Sequence, residues 1–146
     1  MKKHGFTLIE LLMAVSIMTV LFSCSLMSVR SCRAVSNRID VEVFGNSLVN
    51  FITASKKHCR DNDTGGYVYI IAARNIVQMS CGTEVKKKLK MPEGFRDLYV
   101  NRTGSKILID NKGFTSDACT IRFRDRLGAL HYVTISVGTA YVDFKG

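Results

Sequence analysis

The chain of 146 residues has no tryptophan and a single proline, Pro92. Proline ends or kinks a helix by removing a donor and crowding the preceding turn, so nothing of that kind interrupts the first 91 positions. Histidine is scarce: His4, His58 and His131 are too few and too scattered for a multi-histidine metal site. The five cysteines, Cys24, Cys32, Cys59, Cys81 and Cys119, contain no C-x-x-C pair and no zinc-like spacing. No nucleophile elbow, phosphate loop or dinucleotide fingerprint occurs. These absences leave no readable catalytic constellation, and the expectation is a non-enzymatic protein without cofactor or metal. Acidic residues are also short, 12 against 21 basic, giving a formal charge of +9. Such a balance invites anionic surfaces or nucleic acid as partners.

What is present begins at the N-terminus. Lys2 and Lys3 precede Gly5-Phe6-Thr7-Leu8-Ile9-Glu10, and Leu11 to Val29 is a run of 19 residues with no charge. As a helix that run would span about 28 Å, close to the hydrocarbon thickness of a bilayer. A basic flank before an apolar run is the start of an export signal, yet the small residue lies before the run, at Gly5, and not after it. Glu10 is the anomaly, because a carboxylate in an apolar helix calls for a partner or a task.

The Lys-Lys-His-Gly leader followed by Phe-Thr-Leu-Ile-Glu resembles the class III leader of type IV prepilins and type II secretion pseudopilins, over about the first 30 residues. The resemblance implies that a prepilin peptidase cuts after Gly5 and methylates the new amine of Phe6, and that Glu10 is the assembly residue. It also implies a cytoplasmic leader, a single pass through the inner membrane and an extracytoplasmic C-terminal domain that becomes filament-associated. The partners it implies are other pilin or pseudopilin subunits, an inner-membrane assembly platform and membrane lipid. Basic residues alone do not orient the segment, since Arg30, Arg33 and Arg38 follow it. Many major pilins bend this helix at a proline, which is absent here.

Physical chemistry supports a role for Glu10. Cleavage would create a protonatable amine at Phe6, and a carboxylate on a neighbouring helix can neutralise it where attraction is stronger than in water. Ala14, Ser16, Ser23, Ser25 and Ser28 either let helices approach closely or are unselected small residues of an anchor.

From Arg30 to about Lys57 the helix is expected to continue with two apolar stripes. Cys32, Val35, Ile39 and Val43 form one, and Val41, Phe44, Leu48, Phe51 and Ile52 the other, roughly opposite at the helical period. The second stripe is the expected base of a core and the first faces neighbouring helices; a single drifting stripe is the alternative. Gly45 marks the changeover. Asp61 to Gly66 is a turn whose oxygens resemble the opening of a calcium loop, but the closing position is Ala72, which excludes an EF-hand.

Beyond Tyr67 the periodicity shortens to β-rich runs: Tyr67 to Ala72, Ile76 to Cys81, Glu84 to Met91, Phe95 to Val100, Lys106 to Asp110, Ala118 to Arg124, Ala129 to Val137 and Ala140 to Phe144. The expected class is α+β, a long N-terminal helix whose first half is transmembrane, followed by an antiparallel β-sheet domain. Its parts are a leader (1–5), a membrane half-helix (6–29), a soluble half-helix (30–58) and a β-rich domain (59–146). The late stretches Ile107 to Gly113 and Tyr132 to Val142 are similar to minor pseudopilins of the H type and FimT-type minor pilins.

Two basic groups remain. Lys86, Lys87, Lys88 and Lys90 lie on one strand, and Arg122, Arg124 and Arg126 alternate through another into a turn. They either track the phosphates of DNA, as in a minor pilin of a competence pilus, or protect a charged strand edge. Among the cysteines, Cys59 with Cys81 is the expected disulfide if one exists; buried or idle thiols are the other reading.

Overall fold

The computed structural model describes residues 7–137 and 141–145, without the side chains of 24–28 and 103. Among the described residues one α-helix, α1 (Leu8–Asp61), is followed by eight strands: β1 (Gly66–Ile71), β2 (Ile76–Cys81), β3 (Glu84–Lys90), β4 (Arg96–Val100), β5 (Lys106–Ile109), β6 (Cys119–Arg124), β7 (Leu130–Ile135) and β8 (Val142–Lys145). By contacts the chain divides into a helical unit ending at Ser36 and a second unit beginning at Asn37.

In the first unit the helix carries exposed apolar side chains from Leu8 to Phe22. Three hydroxyls in this run bond to their own helix: Ser16 Oγ donates to the Leu12 carbonyl at 2.8 Å, Thr19 Oγ1 to Ser16 at 2.8 Å and Ser23 Oγ to Thr19 at 2.9 Å. This back-bonding satisfies the hydroxyl donors within the helix itself. It spends the Ser16 and Ser23 donors that a neighbouring helix could have used. Among the described residues no helix is long and apolar enough to cross a membrane. The expected span of 6–29 includes Phe6 and side chains 24–28, which lie outside the description.

The helix runs one turn beyond the expected stop near Lys57. It ends in a Schellman arrangement, with Thr64 N–H donating to the Cys59 carbonyl at 3.0 Å and Asp63 N–H to Arg60 at 3.2 Å. Asp63 takes the left-handed position at φ 49° that glycine usually fills, and its carboxylate accepts from Asn111 Nδ2 at 2.8 Å.

In the second unit the strands form two four-stranded antiparallel sheets, ordered β3-β2-β1-β5 and β4-β6-β7-β8. The antiparallel expectation holds, but the strands split into two sheets. β5 returns to pair with β1, Tyr67 opposite Leu108, while β4 leaves to join β6. Strand alternation does the sorting. Val68, Ile70, Val77, Met79, Ile107 and Ile109 are buried from the first sheet, and Leu98, Val100, Ile121, Phe123, Val133 and Ile135 from the second.

Helix residues Val41, Phe44, Leu48, Phe51, Ile52 and Cys59 join the same core. Val35, Ile39 and Val43 are exposed, so the two expected stripes separate into a buried one and a bare one. Gly45 has a packing reason: a Cβ there would come 2.5 Å from the ring of Phe144 on β8. Gly113, at φ 81°, likewise lets its loop approach the helix, where a Cβ would lie 2.7 Å from the Lys56 carbonyl.

Candidate functional site

The first candidate lies at the start of α1. Gly5 and Phe6, the expected cleavage and methylation positions, fall outside the described residues. Glu10 is described, and its partner is local. Thr7 N–H donates to Glu10 Oε2 at 3.0 Å and Thr7 Oγ1 to the same oxygen at 2.9 Å, while Glu10 N–H reaches Thr7 Oγ1 at 3.4 Å. This is a capping box, Thr7-x-x-Glu10, in which each side chain satisfies a backbone donor of the first turn. The spacing was legible in the sequence, and reading Glu10 only as a charge obscured it.

The basic candidates separate onto different sheets. β3 is the edge strand of the first sheet, and Lys86, Lys87, Lys88 and Lys90 on it are all exposed. Lys86 is ion-paired with Glu84. On the second sheet the arginines are engaged one by one. Arg122 lies over the Tyr99 ring at 4.9 Å. Arg124 Nε meets Asp97 Oδ2 at 2.8 Å and its Nη1 donates to the Gly128 carbonyl at 2.7 Å. Arg126 reaches Asp40 of the helix at 2.5 Å and the Glu93 carbonyl at 2.8 Å. An arginine held by a carboxylate and a carbonyl has its charge partly neutralised and two of its five donors engaged within the fold.

Beside Arg126 is a buried polar network that sequence reading missed. Asn37 Nδ2 donates to Asp125 Oδ2 at 2.8 Å, His131 Nε2 lies 3.2 Å from the same oxygen, and Ala129 N–H donates to Asp125 Oδ1 at 2.9 Å. Asn37 Oδ1 accepts from Arg126 N–H at 3.2 Å. Asn37, Asp125 and His131 are all buried. Together they tie the helix at the head of the second unit to the β6–β7 turn. No local periodicity signals the set, because Asn37 and Asp125 are 88 positions apart.

Burial pushes the Asp125 carboxyl upward, but the hydrogen bonds from Asn37, His131 and Ala129 outweigh it and hold it below 3.8. A carboxylate lowered in the folded state stabilises the fold above its unfolded value and loses that contribution as pH falls through the folded one. Acid unfolding of Asp125→Asn should therefore show a weaker pH dependence below about pH 4 than the parent chain, at lower stability throughout. Parallel acid titration curves followed by circular dichroism would contradict this assignment.

Of the two expected partner cysteines, Cys59 is buried and Cys81 half-buried, and both thiols are free. Among the described residues no three His, Cys, Asp or Glu side chains gather as a metal site.

Residues 1–23 match the family model of the prokaryotic N-terminal methylation motif. Among solved structures, the minor pseudopilin EpsH from the type 2 secretion system of Vibrio cholerae superposes with a TM-score of 0.57 at 9% identity, covering 73% of this chain and 96% of that one. The chain has the pseudopilin fold. No curated protein matches it by sequence. Residues 8–23 of the matched motif lie in the 54-residue helix, and the capping box closes its first turn.

Proposed function

We propose that this pilin-like chain is a structural minor subunit, cut after Gly5, methylated at the Phe6 amine and held in the membrane by the apolar run of 6–29. It then joins a filament, a type IV pilus or a type II secretion pseudopilus, with its two-sheet unit outside the membrane. The observation that carries this reading is the methylation motif at the head of a long helix on the pseudopilin fold. The origin of the structural neighbour in a secretion system favours the pseudopilus. Prepilin peptidase, other pilin-like subunits and the inner-membrane assembly platform are the partners this role requires.

Within the filament Glu10 supplies a carboxylate for the Phe6 amine of a neighbouring subunit. The exposed stripe of Val35, Ile39 and Val43 gives neighbouring helices an apolar face to cover. The role needs no catalytic group of this chain. The alternative, a DNA-binding minor pilin of a competence pilus, is favoured less, because Arg124 and Arg126 are each already paired with a carboxylate of the chain, Asp97 and Asp40.

Mass spectrometry of the mature N-terminus tests the proposal. The expected product begins with N-methyl-phenylalanine at Phe6, and Gly5→Val accumulates the uncut, unmethylated chain. A parent protein that retains Met1 to Gly5 in cells with an active prepilin peptidase would overturn the assignment.

A further inference from the structure

Gly66 opens β1 below the last turn of α1, and the space of its missing side chain is filled from two directions. A Cβ built there would lie 2.9 Å from Cys59 Sγ and 3.2 Å from Cys81 Sγ, with the Ser80 carbonyl at 3.1 Å. Both sulfurs thus converge on the volume of one absent methyl group. Cys59 arrives from the helix and Cys81 from the end of β2, whose penultimate residue Ser80 pairs with Tyr67 next to Gly66. With any larger residue at position 66 the two thiols would be pushed apart.

We propose that Cys59 and Cys81 form a thiol pair that closes to a disulfide, with Cys81 as the sulfur through which oxidation enters. The two cysteines differ in access. Cys59 is fully buried, whereas Cys81 lines an open groove of about 440 Å³ with His58, Glu84 and Lys86. Burial, the adjacent Cys81 and nearby Asp110 push the Cys59 thiol up to about 11, so it stays protonated and is a poor first nucleophile.

The chemistry balances with a disulfide-bearing oxidant, either a small molecule or a thiol oxidase. Cys81 thiolate attacks one sulfur of the oxidant and releases the first leaving thiolate. Cys59 sulfur then attacks Cys81 Sγ and expels the second, which takes the proton that Cys59 gives up. Two thiols of the chain are oxidised and one external disulfide is reduced to two thiols. The product fastens the C-terminal turn of the helix to the end of β2 and encloses β1. Its formation in cells rests on the extracytoplasmic placement proposed above, because disulfides persist in oxidising compartments.

The test uses the full chain in detergent micelles, incubated with oxidised glutathione and digested with trypsin without reductant. The expected product is His58-Cys59-Arg60 linked to the peptide from Asn75 to Lys86, with apparent melting raised by on the order of 10 °C. Cys32→Ser and Cys119→Ser should keep the link. Cys59→Ser should stop at a glutathione adduct on Cys81, and Cys81→Ser, at the less buried position, should leave Cys59 unmodified. Glutathione retained on Cys81 of the parent chain, a link to Cys119, or two free thiols under excess oxidant would each overturn the pair. A pair that links in micelles but is recovered reduced from alkylated cells supports the pair and overturns the extracytoplasmic placement, so the two failures are distinguishable.

Discussion

Glu10→Gln should lose incorporation into filaments while keeping the start of the helix intact, and Thr7→Ala should do the reverse. The capping box makes this separation possible. A glutamine at position 10 retains an oxygen to accept the bonds that Thr7 now gives to Oε2, so the first turn remains capped without the charge. Thr7→Ala removes the hydroxyl that both accepts from Glu10 N–H and donates to its carboxylate, while leaving the carboxylate in place.

If the carboxylate's role is to meet a neighbouring subunit's amine, the charge matters and the cap does not. Charge-assisted bonds that are lost in poorly solvated surroundings weaken association by about tenfold or more. Copurification of tagged subunits with sheared filaments measures the effect, and circular dichroism in micelles checks the helix. Wild-type incorporation of Glu10→Gln would reduce Glu10 to a capping residue and remove the proposed intersubunit pair.

The second large effect is at Phe123, the central ring of the second unit. It is completely buried, and its centroid lies 4.9 Å from Phe44 on the helix, 5.8 Å from Phe95, 5.3 Å from His131 and 6.2 Å from Phe144. One ring therefore connects α1, the approach to β4, β7 and β8. Phe123→Ala should cost about 3 to 5 kcal/mol, since the surroundings of such a cavity relax only partly. Domains of this kind are stable by roughly 5 to 15 kcal/mol, so about a fifth or more of the total is at stake.

The measurement is the urea midpoint of the full chain in micelles. A loss below about 1 kcal/mol would mean that Phe144 or Phe95 refills the space, and that this aromatic group is less closely packed than its ring distances imply. Exposed Arg122→Ala on the same strand serves as the contrast. It loses only a surface contact with Tyr99 and should change stability by roughly 0.5 kcal/mol or less.

Several features of this protein were set by local chemistry and could be read without a structure. The apolar run after Glu10, the continuous helix and the positions of the eight strands depend on periodicity, on the absence of proline before Pro92 and on turn residues. These act over a few neighbouring positions. The two helix stripes were legible for the same reason: the helical repeat alone places Phe44 and Leu48 opposite Ile39 and Val43. The methylation motif is a contiguous string, and its spacing to Glu10 is visible on the page.

Tertiary structure alone decided the rest. That eight strands divide into two sheets depends on β5 returning to β1 while β4 pairs with β6, a choice made by complementarity between distant segments. Arg124 and Arg126 fit either a phosphate track or a protected strand edge in the sequence, and only the fold brings Asp97 and Asp40 to them. Asn37, Asp125 and His131 carry no local signature, and burial together makes them a network that holds the helix to the sheet. The space at Gly66 where Cys59 and Cys81 meet is likewise a product of packing. Sequence determined which elements form, because those forces are short in range along the chain. Which side chains meet was decided by the core, because burial acts on neighbours in space whatever their separation in sequence.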